Sequence, residues 1–316
     1  MRRFYLGVDG GQSSTTALIA DETGRVIGMG QSGPCNHVAG AEARTKFMMA
    51  IDECLSQAAQ SAGSSERVPE FAAACLGLSG GVEDKAAYAR EAIRSSRLKV
   101  THDAEIALAG ALGGEAGIII IAGTGSIAFG RNAEGRTARA GGWGHIFGDE
   151  GGAFDIVRRA LRACLQHEEG WGVPTLLRDH LLRATGTADA NQLLHQFYNG
   201  TARQHIAALA PIVTECATEG DEVAQKILAE SARALCWYVE GVNRNLFTAE
   251  EKVAVAHIGG VFQSAPVLAA FTERIEADMR AKVMMPRSSP VAGALLEALR
   301  MDGNTSTLSE LPSVKT

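Results

Sequence analysis

The sequence predicts an α/β protein with a duplicated domain plan, and three observations carry that reading. A strand, a glycine turn, a second strand, an acidic turn and a third strand occur near the start and again after Gly117. The paired landmarks keep nearly constant offsets: the first turns, at Asp9 and Gly123, are 114 residues apart, and the second, at Gly24 and Gly135, are 111 apart (123 − 9 and 135 − 24). The 316 residues include 36 Gly but only 8 Pro, with 46% hydrophobic and 21% charged residues. That is a globular composition with a glycine excess, long enough for two medium domains and unlike a disordered or collagen-like chain.

In chain order, Phe4–Val8 reads as an apolar strand ending at Asp9-Gly10-Gly11-Gln12-Ser13-Ser14. Thr15–Ala20 and Arg25–Gln31 complete an antiparallel meander around the turn Asp21-Glu22-Thr23-Gly24. Helical spacing over Ala41–Gly63 places Phe47, Ile51, Cys54, Leu55 and Ala58 on one face. An apolar run, Phe71–Leu78, and a helix, Asp84–Ser95, precede the short strand Leu98–Thr101, which delivers His102 and Asp103 to the helix Ala104–Leu112. The plan restarts with Gly117–Ala122, ended by Gly123-Thr124-Gly125-Ser126, followed by strands Ile127–Arg131 and Arg136–Ala140. Beyond Gly152, helices are expected over Phe154–Gln166, Thr175–Ala184, Ala190–Tyr198, His205–Thr218 and Glu222–Phe247. Val253–Ile258 reads as a strand closed by Gly259-Gly260, then a helix Pro266–Ala281, a short strand at Met284 and Met285, and a helix Val291–Leu299 begun by Pro290. From Met301 the chain is polar and aperiodic and is expected to be a loose tail.

Composition excludes several classes. A net charge of −6, from 30 basic and 36 acidic residues, with no basic run, argues against nucleic-acid binding. The six cysteines form no C-x-x-C pair, so neither a zinc cluster nor a redox dithiol is signalled. Met1-Arg2-Arg3-Phe4 leads straight into a strand without a signal-peptide core, and no apolar run approaches the roughly 20 residues of a membrane span. A reduced, cytoplasmic protein that does not bind membranes is expected.

Five segments carry candidate chemistry. In Asp9-Gly10-Gly11-Gln12-Ser13 the glycines let backbone N–H groups face a phosphate, Ser13 or Ser14 can add a hydroxyl, and Asp9 can hold a hydrated Mg²⁺; taken singly, a plain hairpin turn is the better reading. Gly123-Thr124-Gly125-Ser126 stands at the corresponding place, and the two turns together outweigh either alone, although no Walker A loop is present. Asp103, after a strand end, is placed to accept the proton of an attacking hydroxyl, or else to cap the helix that follows. Gly141–Gly152 holds six glycines in twelve residues, too costly in chain entropy for a core, and reads as a binding loop with Trp143 as a wall and Asp149 as an acceptor for sugar hydroxyls. Asp149 and Glu150 also suit a helix first turn, and His145 has no partner at metal spacing. Gly259-Gly260-Val261-Phe262-Gln263-Ser264 suits the approach of an adenosine or an ordinary strand-to-helix turn.

These segments, in this order, resemble the sugar-kinase/actin ATPase superfamily, and within it the N-acetylglucosamine kinases and the related BadF/BadG/BcrA/BcrD ATPases. The resemblance runs from Phe4 to about Leu299, and its specific pieces are Gly7–Gly11, Asn36-His37, Leu76–Gly81, Asp103-Ala104, Gly123–Ser126, Gly142–His145 and Gly148–Gly151. It implies two ribonuclease H-like (actin-like ATPase) domains with an inter-domain cleft. The first would span 1–115, with the helix at about 290–300 packing back on it, the second 116–300, with 301–316 as a tail. It further implies ATP-dependent phosphorylation of an amino sugar at its 6-hydroxyl, with N-acetylglucosamine as the leading substrate and glucosamine as an alternative, Mg²⁺ as cofactor, and a homodimer.

By resemblance, Asp103 falls on the catalytic base. Ser13 and Thr124 fall on hydroxyls that contact ATP phosphates, and Asp9, Gly10, Gly11, Gly123, Gly125, Gly259 and Gly260, read from the turns themselves, complete the expected ATP and phosphate site, with Asp9 holding Mg²⁺ through water. Asn36, Ser126, Gly142, Trp143, Gly144 and Asp149 fall on the sugar site. Where the family often has a polar residue after Ser126, this chain has Ile127, which bears on how a 2-acetamido group is held. A rival of the same fold, an ATP-driven activator of 2-hydroxyacyl-CoA dehydratase, needs cysteines that share an iron–sulfur cluster between subunits, and no cysteine here lies in an evident cluster loop. A sugar-responsive regulator is disfavoured because no DNA-binding module precedes Phe4.

Overall fold

The computed structural model describes residues 2–11, 13–35, 41–63, 69–79 and 83–312. The chain divides into two compact units, one made of the chain up to Glu115 and again from Pro286, the other of Ala116–Met285.

The first unit opens with the meander β1 (Phe4–Gly10), β2 (Thr15–Asp21) and β3 (Val26–Ser32). It continues through α1 (Ala41–Ser61), β4 (Ala73–Leu78), α2 (Glu83–Ala92), β5 (Leu98–His102) and α3 (Asp103–Leu112). Its sheet has the order β3-β2-β1-β4-β5, antiparallel across the meander and parallel from β1 through β4 to β5. Successive side chains of a strand face opposite ways. Leu6, Ala17 and Ile19 accordingly join Phe47 and Ile51 of α1 in one core, while Tyr5, Leu18 and Ala20 join a second core on the other face. β2 is buried throughout because both faces are covered, which explains why its sequence is an apolar run rather than an alternation.

The second unit repeats the plan with β6 (Gly117–Ala122), β7 (Ser126–Arg131) and β8 (Thr137–Gly141). Helices follow: α4 (Gly144–Phe147), α5 (Ala153–Glu168), α6 (Leu177–Thr185), α7 (Ala190–Tyr198), α8 (Arg203–Ala207), α9 (Ala210–Thr218) and α10 (Glu222–Leu246). β9 (Val253–Ile258), a 3₁₀ turn at Gly260–Gln263, α11 (Ala265–Asp278) and β10 (Ala281–Met284) complete it. The sheet order is β10-β9-β6-β7-β8, again a meander plus parallel strands, with Ile118, Ile120, Ile156, Leu235 and Phe271 in one continuous core.

α12 (Pro290–Met301) belongs to the first unit and builds its second core, where Val291 and Leu295 meet Tyr5 and Ile106. The approach to α3 depends on glycine: a Cβ at Gly293 would stand 2.0 Å from the Ile106 carbonyl oxygen and 2.3 Å from the Gly110 nitrogen.

The structure departs from the sequence reading in four places. The helix expected over His205–Thr218 is two, α8 and α9, because Pro211 lacks an N–H and starts a new helix near its own position. α11 stops at Asp278, and Ala281–Met284 pairs with Val253–Ala256, so Ala281 is strand rather than helix. The glycine loop contains a short helix, α4, that its composition concealed. The polar segment after Met301 is pinned rather than loose. The Ser309 N–H donates to the Gly24 carbonyl (3.1 Å), and the Val26 N–H donates to the Ser309 carbonyl (3.0 Å). Asp302 accepts from Tyr5 Oη at 2.8 Å and from Arg3 at 3.0 Å. An edge strand such as β3 leaves backbone groups unpaired, and a segment nearly 300 residues away supplies partners that no local periodicity can foretell. Among the described residues no helix is long and apolar enough to cross a membrane.

Candidate functional site

In the first unit, β1 and β5 run parallel on either side of β4, so their carboxyl ends emerge at one edge of the sheet, where open α/β sheets take ligands. Asp9 and Gly10 end β1, and Asp103 begins α3 directly after β5. The Asp9 carboxylate has no hydrogen-bond partner among the described residues. Burial pushes it up to about 6, and the negative charge of Asp103 adds to the shift. Desolvation without a compensating hydrogen bond disfavours the ionised form, which is the direction of this shift.

Asp103 is the first helical residue; His102 holds the N-cap position and makes no side-chain cap. Asp103 Oδ1 accepts the Ala104 N–H at 2.8 Å, so the carboxylate does serve the helix start, while Oδ2 has no hydrogen bond among the described residues. Burial raises its pKa, and the Ala104 amide and the charges of His102 and Lys85 hold the rise in check. Between the strands of the turn, the Gly11 N–H donates to the Ser14 carbonyl at 2.9 Å, and Ser13 is exposed beside it. Asn36, His37, Gly80 and Gly81, all quoted from the sequence, lie outside the described residues.

In the second unit the parallel neighbours β6 and β9 bring Gly123–Gly125 and Gly259–Gly260 side by side. Gly259 sits at φ 110°, and a Cβ there would stand 2.3 Å from the Ala122 carbonyl oxygen. Next to these turns lies a cavity of about 560 Å³, lined by Thr124, Gly260, Ala207, Pro211, Thr214 and Ser264 among others. Thr214 Oγ1 donates to Ser264 Oγ at 2.9 Å, joining α9 to the start of α11 across its wall. A larger cavity of about 880 Å³, bordered by Lys252, Val253, Arg280 and Lys282, opens at the amino ends of β9 and β10, away from every glycine turn.

The acidic turn is stitched to the glycine turn. The Ala153 N–H donates to the Gly123 carbonyl (2.8 Å) and the Phe154 N–H to the Thr124 carbonyl (3.1 Å). Ser126 Oγ donates to the Glu150 carbonyl at 2.6 Å, and its N–H reaches Asp149 Oδ1 at 3.4 Å. The Asp149 carboxylate lies so close over Gly125 that a Cβ there would stand 2.4 Å from Oδ2. Asp149 itself is only 6% exposed and holds φ 62°, an uncommon backbone for a residue with a side chain. α5 begins only at Ala153 with Asp155 as its first-turn acid, so Asp149 and Glu150 are not the helix-end charges that the sequence also allowed. Gly142 and Gly144 both have positive φ, and Trp143 between them is 65% exposed with the Arg139 guanidinium 4.9 Å from its ring. The Ile127 side chain packs against Gly142.

Three groups of contributors escaped the sequence reading. The cavity wall from α8 and α9 includes Gln204 and Glu215. Thr214, Glu215 and Thr218, polar positions on a short apolar helix behind a proline, were the available signal. Tyr238 of α10 donates its hydroxyl to the Glu150 carboxylate, and its ring backs Gly141. Burial, then Glu150, raise the Tyr238 pKa. His145, unpaired at sequence level, meets the Arg203 guanidinium at 3.0 Å and the Phe154 ring edge-on at 5.3 Å.

Two five-stranded sheets, each a meander extended by parallel strands and ending in a glycine turn at the carboxyl edge, define the two-domain sugar-kinase/actin-like ATPase class. The chain belongs to the BadF/BadG/BcrA/BcrD ATPase family, whose model matches residues 6–298. It is 35% identical to the N-acetylmuramic acid/N-acetylglucosamine kinase of Clostridium acetobutylicum, over 83% of this chain and 86% of that one. It is 28% identical to the N-acetyl-D-glucosamine kinase of Dictyostelium discoideum, over 94% and 98% respectively. Its fold is similar to the crystal structure of a candidate N-acetylglucosamine kinase from Chromobacterium violaceum, with TM-score 0.74, 27% identity, and coverage of 93% of this chain and 98% of that one.

Proposed function

We propose that the protein is an ATP-dependent amino-sugar kinase that transfers a phosphoryl group to the 6-hydroxyl of N-acetylglucosamine. The observation that carries this reading is the pairing of two carboxylates with raised pKa, Asp9 and Asp103, at one sheet edge in a chain whose other unit sets glycine turns beside a cavity of about 560 Å³. The kinases named above, similar over most of their length, support it.

In this reading Asp103 accepts the hydroxyl proton through Oδ2 while Oδ1 stays on the Ala104 amide, so the base is held in place as it works. Gly10, Gly11, Ser13, Gly123, Thr124 and Gly125 offer N–H and hydroxyl donors to the phosphates. The adenosine enters between Gly259-Gly260 and the α8–α9 wall. Ser126, Gly142, Trp143, Gly144 and Asp149, with Asn36, hold the sugar, Trp143 by stacking on its apolar face and Asp149 by accepting its hydroxyls. Asp9, without a hydrogen-bond partner among the described residues, fits a hydrated Mg²⁺, and such an ion, when bound, neutralises charge on the phosphates. Catalysis of this kind rests on positioning and charge rather than covalent chemistry, which suits a site lined largely by backbone.

The name of the Clostridium relative supports a second substrate, N-acetylmuramic acid. The activator alternative is less well supported, because all six cysteines are buried and none is placed on the surface to hold a cluster between subunits. A coupled ADP-release assay over hexoses, glucosamine, N-acetylglucosamine and N-acetylmuramic acid tests the reading. Turnover with an amino sugar, abolished in Asp103→Asn, is expected. Absence of sugar-stimulated ADP release sinks it.

A further inference from the structure

A carboxylate that is 6% exposed on a strained backbone needs polar partners from elsewhere in the fold. Part of the support for Asp149 comes from its own neighbourhood, through Ser126. The rest comes from Arg203, the first residue of α8, whose Nη1 lies 3.8 Å from Asp149 Oδ2. The same nitrogen lies 3.0 Å from His145 Nδ1, in the loop that carries Trp143. Among the described residues no other partner engages this guanidinium, so its remaining donors are open. The very next residue, Gln204, lines the 560 Å³ cavity together with Ala207 and Ala208 of the same short segment. Adjacent residues of one five-residue helix therefore reach the acidic turn and the cavity wall.

We infer that Arg203 is a positioning residue that sets the Asp149 carboxylate for the sugar and links occupancy of the cavity to the grip on the sugar. The inference rests on the kinase reading, in which the cavity takes ATP and Asp149 takes sugar hydroxyls. A nucleotide seated against Gln204, Ala207 and Ala208 restrains α8 and with it the guanidinium. The charge on Asp149 is then better compensated and its backbone less free to relax. By thermodynamic reciprocity, bound sugar must tighten nucleotide binding by the same factor. An isolated ion pair at 3.8 Å with a 41% exposed arginine would contribute little. Convergence of one guanidinium on Asp149 and His145, beside a cavity residue, sets this pair apart.

The test compares wild type with Arg203→Met and Arg203→Lys. Calorimetry measures N-acetylglucosamine affinity with and without a non-hydrolysable ATP analogue and Mg²⁺, alongside KM for each substrate. In wild type the analogue is expected to tighten sugar binding at least about fivefold, the lower end of ordinary coupling. In Arg203→Met that factor falls below about twofold and sugar KM rises roughly tenfold, while affinity for the analogue measured by the same calorimetry without sugar is nearly unchanged. Arg203→Lys recovers part of both, since an ammonium keeps a positive charge for Asp149 but as a compact point charge without the planar guanidinium. Arg203 is 41% exposed, so thermal melts of both variants should lie close to wild type. An Arg203→Met protein with wild-type sugar KM and coupling overturns the inference, as does an equal loss of affinity for sugar and for the analogue, each measured alone, without rescue by lysine. A wild-type chain that binds the analogue but no amino sugar overturns the kinase reading itself, and this inference with it.

Discussion

The two glycine turns occupy equivalent places in equivalent sheets, yet they are furnished in opposite ways. The first, after β1, carries its own acid: Asp9 has no hydrogen bond among the described residues, and burial, with the charge of Asp103 adding to it, pushes its pKa up to about 6. The second, after β6, carries no acid of its own. It borrows Asp149 from a loop 23 residues on, seats that carboxylate against Gly125, and is tied down by α5 through two backbone hydrogen bonds. One turn ends in a carboxylate with no hydrogen bond among the described residues; the other is tied to a helix and faces a carboxylate that is hydrogen-bonded. The two sheets share one strand order and one backbone device, and the side chains around each turn decide how it is used.

Four experiments break or sharpen that contrast. The largest effect belongs to the first unit's acids. Asp103→Asn should lower kcat on the order of a thousandfold, as expected for losing a general base, while sugar affinity measured by calorimetry stays within about threefold. Retention of near wild-type turnover would falsify its role. Next comes the second unit's packing: Gly125→Ala drives a methyl into Asp149 and should cost about a hundredfold in kcat/KM for the sugar, the scale of an ångström's misplacement.

The third concerns stability. Asp9 titrates at about 6 in the folded chain against an ordinary 3.8, so between those values the folded state holds the proton more tightly than the unfolded chain does. Stability therefore declines as pH rises through that window, and the full cost is present above it. Asp9→Asn removes the charge, so it should gain about 1–3 kcal/mol at pH 8 and almost nothing at pH 4, read from denaturant melts. A gain independent of pH would show that the Asp9 charge carries no such cost. The smallest effect is Tyr238→Phe. Loss of its hydroxyl bond to Glu150 should cost about 1 kcal/mol and raise sugar KM severalfold with ATP KM unchanged.

Much of this was legible in residue order. The repeat, the meanders and the glycine turns follow from alternation and from the few residues that tolerate tight turns. The α8–α9 wall was not, because Pro211 split a segment whose apolar spacing suggested one helix. Tyr238 was hidden on a long amphipathic helix where a half-buried tyrosine reads as packing. Arg203 was hidden because a lone arginine at a helix start gives no sign of what it faces. Asn36 was singled out by family likeness alone and lies outside the described residues.

The glycine excess, the strand periods and the 114- and 111-residue offsets are properties of local chain geometry, and these sufficed to establish the α/β plan and the turns on which a phosphate could rest. The raised pKa of Asp9, the uncommon backbone of Asp149, the pinned segment around Ser309 and the partners of Arg203 emerged only with the folded chain. Desolvation and long-range pairing depend on which surfaces meet, and that is settled by packing between residues tens to hundreds of positions apart rather than by any neighbourhood along the sequence.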